Sequence, residues 1–186
     1  MAKIFIFRHG QTTDNRDKRF SGWANPDLTP EGEEEARSIG EELKYEPVTK
    51  AYSSDLLRAI HTMQLVLEKY HPGIQIIEDP RIKERDYGEL TGKNKDEIAK
   101  EFPKEYPLWH RSYDVAPPGG ENIEMVEKRV LSFLHDVLPT LFKDDVVFIS
   151  AHGNSLRPMR KYFEHMTNEE MCSFEHTPGK VYSYEV

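Results

Sequence analysis

The sequence predicts a three-layer α/β/α fold around a mostly parallel sheet, and three observations predict it. Ile4-Phe5-Ile6-Phe7 and Val146-Val147-Phe148-Ile149-Ser150-Ala151 are short apolar runs of the kind that strands buried on both faces produce. Each run leads into a His-Gly pair, His9-Gly10 in the first case and His152-Gly153 in the second. Between them, segments with helical spacing alternate with strand-like segments, as they do when crossover helices link parallel strands. The 186 residues suffice for one well-buried core and are few for two, so residues 1–186 are expected to form one domain.

The first strand, residues 4–7, delivers Arg8-His9-Gly10-Gln11-Thr12 to the carboxyl edge of the sheet, where open α/β folds keep their ligand sites. Residues 8–28 lack periodicity and read as a long loop, which Phe20 and Trp23 favour as ordered. Thr29-Pro30-Glu31 then opens a helix, with Thr29 as N-cap, Pro30 in the first turn and acids at the positive end of the dipole. Its apolar face is Ala36, Ile39, Gly40 and Leu43. Lys50–Ser53 is a short strand, and Ser54 is expected to cap a second helix whose apolar set is Leu57, Ile60, Met63 and Leu67. Arg58 falls in the first turn of that helix, where a cation opposes the macrodipole, so a functional reason for it is worth seeking.

Ile74–Ile77 is a third strand candidate. Lys83–Lys95 is aperiodic and dense in ionisable groups, and Gly88–Lys93 misses both the spacing and the hydroxyl of a P-loop. Asp96–Phe102 reads as a helix, and Pro103 and Pro107 are expected to keep the next segment irregular, up to the turn Pro117-Pro118-Gly119-Gly120. Asn122 caps the longest helix, with Val126, Val130, Phe133, Leu134 and Leu138 toward the core. A last helix is expected over Leu156–His165, with Pro158 confined to its first turn. Lys180–Tyr184 alternates like an edge strand.

A formal net charge of −8 argues against nucleic acid or an acidic membrane as partner. A small anionic substrate would require Arg and Lys gathered locally against that balance. Cys172 is the only cysteine, which excludes an intramolecular disulfide and fits a reducing cytosol. No signal-like apolar stretch is present, and no run approaches the roughly 18 residues of a membrane span. The expectation is a cytoplasmic protein, monomer or homo-oligomer.

If the loops after the strands converge, they gather His9, His152, Arg8, Arg58, Lys95 and Glu84, with Arg85 and Arg111 as further candidates. Two histidines among arginines suit a metal poorly, and no His-Glu-x-x-His spacing exists, so no metal is expected. A phosphoryl group suits them better, because arginine forks match phosphate oxygens and backbone amides near Gly10 and Gly153 can add more. Neighbouring cations disfavour imidazolium and keep His9 neutral, the nucleophilic form. A phosphohistidine splits one hard transfer into two easier ones. Arg8, Arg58 and His152 would stabilise the moving charge, and Glu84 would protonate the leaving oxygen and later deprotonate the acceptor.

Arg8-His9-Gly10 with Ala151-His152-Gly153-Asn154-Ser155-Leu156-Arg157 resembles the histidine phosphatase superfamily. Arg8–Asn15, Phe20–Trp23, Tyr52–Ile60, Glu84–Lys93 and Arg111–Val115 are similar, more narrowly, to the 2,3-bisphosphoglycerate-dependent phosphoglycerate mutases. The resemblance runs from residue 4 to about residue 182. It implies a phosphoglycerate mutase-like fold and the interconversion of 3- and 2-phosphoglycerate, a step of glycolysis and gluconeogenesis. The reaction would pass through phosphohistidine, with 2,3-bisphosphoglycerate as primer, a small phosphorylated carboxylate as substrate and no metal. It further implies His9 as the phosphorylated nucleophile, Arg8, Arg58 and His152 around the phosphoryl group, and Glu84 as proton donor and acceptor. Asn15, Ser21, Gly22, Tyr87, Lys95, Arg111, Gly153 and Asn154 would hold the substrate carboxylate, hydroxyl or second phosphate. Three departures from the mutase pattern stand out. His110 replaces an arginine and can assist only when protonated, Pro117–Glu121 passes almost directly into a helix, and the usual tail after the last strand is missing. An open site admits water, so the alternative is a histidine acid-base phosphatase acting on small phosphate esters.

Overall fold

Alternation along β1 (Lys3–Arg8) sets the two faces of the sheet in the computed structural model, which describes residues 1–186. Ile4 and Ile6 join one core, and Phe5 and Phe7 join the other. After β1 come α1 (Thr13–Arg16), α2 (Pro30–Glu42), β2 (Lys50–Ser53), α3 (Leu57–Leu67) and β3 (Ile76–Glu78). The chain continues through α4 (Lys95–Glu101), α5 (Glu105–Arg111), α6 (Ile123–Val137), β4 (Val146–Ala151), α7 (Gly153–Glu164), α8 (Asn168–Ser173) and β5 (Val181–Glu185). The sheet order is β3-β2-β4-β1-β5, parallel throughout except for β5, which runs antiparallel along the outer side of β1.

On one face Ile4, Ile6, Tyr52, Val147 and Ile149 pack with Val126, Val130, Phe133 and Leu134 of α6 and Leu156 and Met159 of α7. On the other, Phe5, Phe7, Ala51, Val146 and Phe148 pack with Ile39 of α2, Leu43 at its C-cap and Met63, Val66 and Leu67 of α3. These are the three layers expected from the alternation. Each such side chain contributes about 1.5–3 kcal/mol through burial, so the sheet edge that carries the two histidines is firmly supported. No helix is long and apolar enough to cross a membrane.

Several local expectations need correction. The loop after β1 contains the short α1, closed by Thr12 and Asn15 in a reciprocal cap. Ser54 does not cap α3; the N-cap position is Leu56, with no side-chain bond, and Ser54 is buried at the sheet edge. The third strand covers Ile76–Glu78 rather than 74–77. Residues 105–111 are helical rather than irregular, because Pro107 falls in the first turn of α5, where a missing amide hydrogen breaks no helix bond. The last long helix starts at Gly153, three residues early, so Pro158 falls in its second turn and offers no hydrogen to the Asn154 carbonyl. Leu138 lies just past α6 in a single 3-10 turn and packs on the core half-buried.

Candidate active site

Because β1 and β4 are adjacent and parallel, with Arg8 opposite Ala151, the residues after them leave the same edge side by side. His9 and His152 are both buried, their ring centroids 5.0 Å apart. The His9 amide closes the ladder by donating to the Ala151 carbonyl at 3.0 Å. The surrounding contacts settle the protonation of the His9 ring. Nδ1 lies 2.7 Å from the Gly10 carbonyl oxygen, and Arg58 Nε–H donates to Nε2 at 3.3 Å. A carbonyl only accepts and a guanidinium only donates, so the ring carries its proton on Nδ1 and its lone pair on Nε2. Burial, then Arg58 and Arg8, hold its pKa well below 6.5, and the ring is neutral at physiological pH.

Arg58 is almost wholly buried, and its position in α3 is explained by its partners rather than by the helix dipole. Nη1 donates to the Ala24 carbonyl and Nη2 to the Gly22 carbonyl, both at 2.9 Å. Burial lowers its pKa to about 10, which leaves it charged. Thr62, one turn further along α3, accepts from the Gly10 amide at 3.0 Å and donates to the Arg58 carbonyl at 2.8 Å, tying helix and His9 loop together. Gly10 also lies hard against α2: a β-carbon there would stand 2.1 Å from the Gly32 carbonyl oxygen.

His152 Nε2 lies 2.7 Å from Ser54 Oγ, while its Nδ1 is buried without a partner. Its pKa is lowered by burial, then by Arg58 and His9. Glu84 accepts through Oε1 from the amides of Arg85 at 2.7 Å and Asn154 at 3.2 Å. Burial raises its pKa, but the Arg85 amide, Arg58, Asn154 and Arg8 outweigh burial and hold it ionised. Its backbone is fixed from behind, where its carbonyl accepts from Trp23 Nε1 at 2.8 Å and from Arg129 Nη2 at 2.9 Å.

Arg8, Glu84, Tyr87, Lys95, Arg111, Gly153 and Asn154 line one cavity, together with His110, Arg157, Glu175 and His176. Arg8, Lys95, Arg111 and Arg157 outnumber Glu84 and Glu175 there, which supplies the local positive charge that an acidic chain needs for an anion. Asn154 Nδ2 donates to Tyr87 OH at 3.1 Å. Asn15 lies in an adjoining hollow with Arg8, His9 and Gln11, its Oδ1 already taken by Thr12. Ser21 and Gly22 are not on the cavity wall; the Gly22 carbonyl stands behind Arg58, and Gly22 has φ +50°. Arg85 is also turned away: it is buried and donates to the carbonyls of Glu121 and Trp109, so it is a strut between loops. His110 cannot serve as a part-time cation near neutrality, because burial and then Arg111 and Lys95 press its pKa down to about 4.

Sequence reasoning missed Ser54, Thr62, Arg129, Arg157, Glu175 and His176. Ser54 directly succeeds β2 at the carboxyl edge, a position that carries a signal. The loop holding Glu175 and His176 has none. No group of three or more His, Cys, Asp or Glu stands together as a metal site would require.

The sequence pattern of the histidine phosphatase superfamily (branch 1) matches residues 4–186. A 2,3-bisphosphoglycerate-dependent phosphoglycerate mutase of Parvibaculum lavamentivorans is 39% identical over 98% of this chain and 90% of its own length. The protein of the same description from Nitrobacter winogradskyi is 39% identical over 98% and 91%. Among solved structures, Bacillus stearothermophilus YhfR superposes with a TM-score of 0.90 at 26% identity, covering 100% of this chain and 92% of that one. The mycobacterial glucosyl-3-phosphoglycerate phosphatase Rv2419c shares the fold, with a TM-score of 0.87 at 22% identity over 97% and 91%.

Proposed function

The chain belongs to the histidine phosphatase superfamily, and on that premise we propose that it acts as a phosphoglycerate mutase, interconverting 3- and 2-phosphoglycerate through a phosphohistidine at His9 primed by 2,3-bisphosphoglycerate. The observation that carries the reading is the His9 ring: neutral, with Nδ1–H fixed on the Gly10 carbonyl and the lone pair of Nε2 facing the buried cation Arg58. The unpartnered buried atoms Arg8 Nε, His152 Nδ1 and Arg157 Nε fit an anion rich in phosphate and carboxylate oxygens.

His9 Nε2 attacks phosphorus as the bond to the leaving oxygen breaks. Arg8, Arg58 and a donating His152 offset the charge on the phosphoryl oxygens. Glu84 is ionised beside Arg58 and Arg8, and the negative charge of an arriving phosphoryl group neutralises the cations that hold it so. Glu84 can then take up a proton from solvent, and that is the proton it gives to the leaving oxygen. In the second half, Glu84 takes the proton of the acceptor hydroxyl while that oxygen attacks phosphorus, and the electron pair of the N–P bond returns to Nε2. Lys95, Arg111, Tyr87 and Asn154 orient the carboxylate and second phosphate. Hydrolysis is the competing outcome, favoured by the neutral His110 and by Arg111 being engaged with Glu175 at 2.7 Å.

Labelling with 2,3-[³²P]bisphosphoglycerate tests the reading. Wild-type protein should take up one acid-labile, alkali-stable phosphoryl group per chain, and His9→Ala none. Equal label in His9→Ala would move the nucleophile elsewhere.

A further inference from the structure

The loop between α8 and β5 brings a further histidine to the cavity wall that also holds His110, and the phosphoryl transfer through His9 and Glu84 does not use it. His176 lines the wall with Arg8, Glu84 and Gly153, and both of its ring nitrogens are buried with no well-formed hydrogen bond, the Gly153 backbone acting on the ring only weakly. Buried polar atoms left unpaired are costly and uncommon, so a partner is to be sought in the cavity itself. A β-carbon placed on Gly153 would stand 3.6 Å from His176 Nε2 and 3.6 Å from Glu84 Oε2. Imidazole and carboxylate therefore border the same small volume over the first residue of α7. Glu84 spends Oε1 on two backbone amides, which leaves Oε2 for that volume. Burial, then Arg157 and Arg8, lower the His176 pKa to about 3, so the ring is neutral and has one N–H and one lone pair to offer.

We propose that His176 is a catalytic residue of the transfer, its Nε2–H donating to the same substrate oxygen whose proton Glu84 Oε2 exchanges. The inference rests on the phosphoglycerate mutase reading of the site. In the transfer to 3-phosphoglycerate, the hydroxyl proton passes to Glu84 Oε2 and the oxygen–phosphorus bond forms. The phosphorus–Nε2 bond of His9 breaks, and its electron pair stays on His9. His176 keeps its proton throughout. Its hydrogen bond strengthens as charge builds on the oxygen, so it acts on the transition state more than on binding. The cations of the cavity are less suited to this place, because a fixed positive charge beside Oε2 would hold Glu84 ionised and oppose its turn as an acid.

The test uses a donor whose leaving group needs neither proton nor hydrogen bond. The enzyme is loaded from ³²P-labelled 2,4-dinitrophenyl phosphate, the nitrophenolate burst is timed, and the phosphoenzyme is chased with 3-phosphoglycerate. His176→Ala should give a burst within about twofold of wild type and pass label to 3-phosphoglycerate about 10- to 100-fold more slowly. His176→Gln, whose side-chain amide can reach with an N–H, should recover most of that loss. Slowing of burst and chase by the same factor would make His176 a structural residue and overturn the proposal. A chase within twofold of wild type in His176→Ala would overturn it too, with the phosphoglycerate reading left standing. A wild-type enzyme that gives the burst but passes no label to 3-phosphoglycerate would overturn that reading, and the proposal with it.

Discussion

Arg58 Nε–H donates to His9 Nε2 at 3.3 Å, so the nitrogen proposed to carry the phosphoryl group faces a cationic donor. The contact does two things. It keeps His9 from accepting a proton, and it places a guanidinium where the oxygens of a phosphoryl group under attack by His9 would gather. The same guanidinium is braced by the carbonyls of Gly22 and Ala24, which limits its freedom to follow the ring.

Replacing Arg58 by alanine should therefore act on rate and on pH dependence together. Burial remains the larger cause of the low His9 pKa, but its second cause is gone, and the pKa rises toward 6.5. His9 is then protonated at a higher pH than in wild type, so the acid limb of phosphoenzyme formation moves to higher pH. The rate on the plateau should fall about 10²–10³-fold, as for the loss of one charge-stabilising donor. A pH–rate profile of ³²P uptake reads both, and an unmoved acid limb would show that Arg58 does not govern His9 protonation.

Ser54 Oγ holds His152 Nε2 at 2.7 Å and accepts from the Leu56 amide at 3.2 Å. Ser54→Ala leaves a buried imidazole nitrogen unpaired, which costs about 1–3 kcal/mol. Labelling should slow about tenfold while His9 still takes up one phosphoryl group per chain. Ser54→Thr, which keeps the hydroxyl, should stay within about threefold of wild type, and equal slowing in both variants would assign the effect to packing.

Arg111 is paired with Glu175, whose side chain is 75% exposed. Such a pair is worth about 0–1 kcal/mol, so an incoming carboxylate displaces Glu175 at small cost. Glu175→Gln should lower KM for 3-phosphoglycerate about two- to fivefold with kcat nearly unchanged. Arg111→Ala should raise KM and direct more phosphoenzyme to hydrolysis. His110, with its pKa near 4, is neutral between pH 6 and 7.5, so His110→Asn should leave the shape of the profile in that window unchanged. A profile that changed shape would mean that His110 titrates there.

Gly32 faces the loop that carries His9, and a β-carbon on it would stand 2.1 Å from the Gln11 carbonyl oxygen. The oxygen is backbone and a β-carbon is fixed rigidly to backbone, so relief requires α2 and the loop to separate. Gly32→Ala should cost about 1–3 kcal/mol and lower Tm by several degrees in a thermal melt, with phosphoenzyme formation reduced as well. An unchanged Tm would show that the two segments part freely.

The parts of the site legible in the sequence are those that a strand delivers. His9 and His152 come directly after buried apolar runs, and the parallel register of β1 and β4 makes neighbours of them. Side-chain direction is less legible. Arg85 and Arg111 both belong to charged, aperiodic stretches, yet Arg85 turns inward to the Glu121 and Trp109 carbonyls while Arg111 reaches the cavity. Ser54 resembles an N-cap because it is a serine just before a helix, and only its tertiary partner His152 distinguishes the two roles. Pro107 resembles a breaker because the start of α5 carries no capping side chain to announce it. Glu175 meets Arg111 across 64 residues, a separation that leaves no local pattern.

Product partitioning distinguishes a mutase from a phosphatase. Wild-type protein is given 3-phosphoglycerate with a trace of 2,3-bisphosphoglycerate, without added metal, and 2-phosphoglycerate is measured against free phosphate. 2-Phosphoglycerate should form until equilibrium, with free phosphate a minor product, and His9→Ala should form neither. Free phosphate as the main product from wild type, with no 2-phosphoglycerate, would contradict the mutase reading.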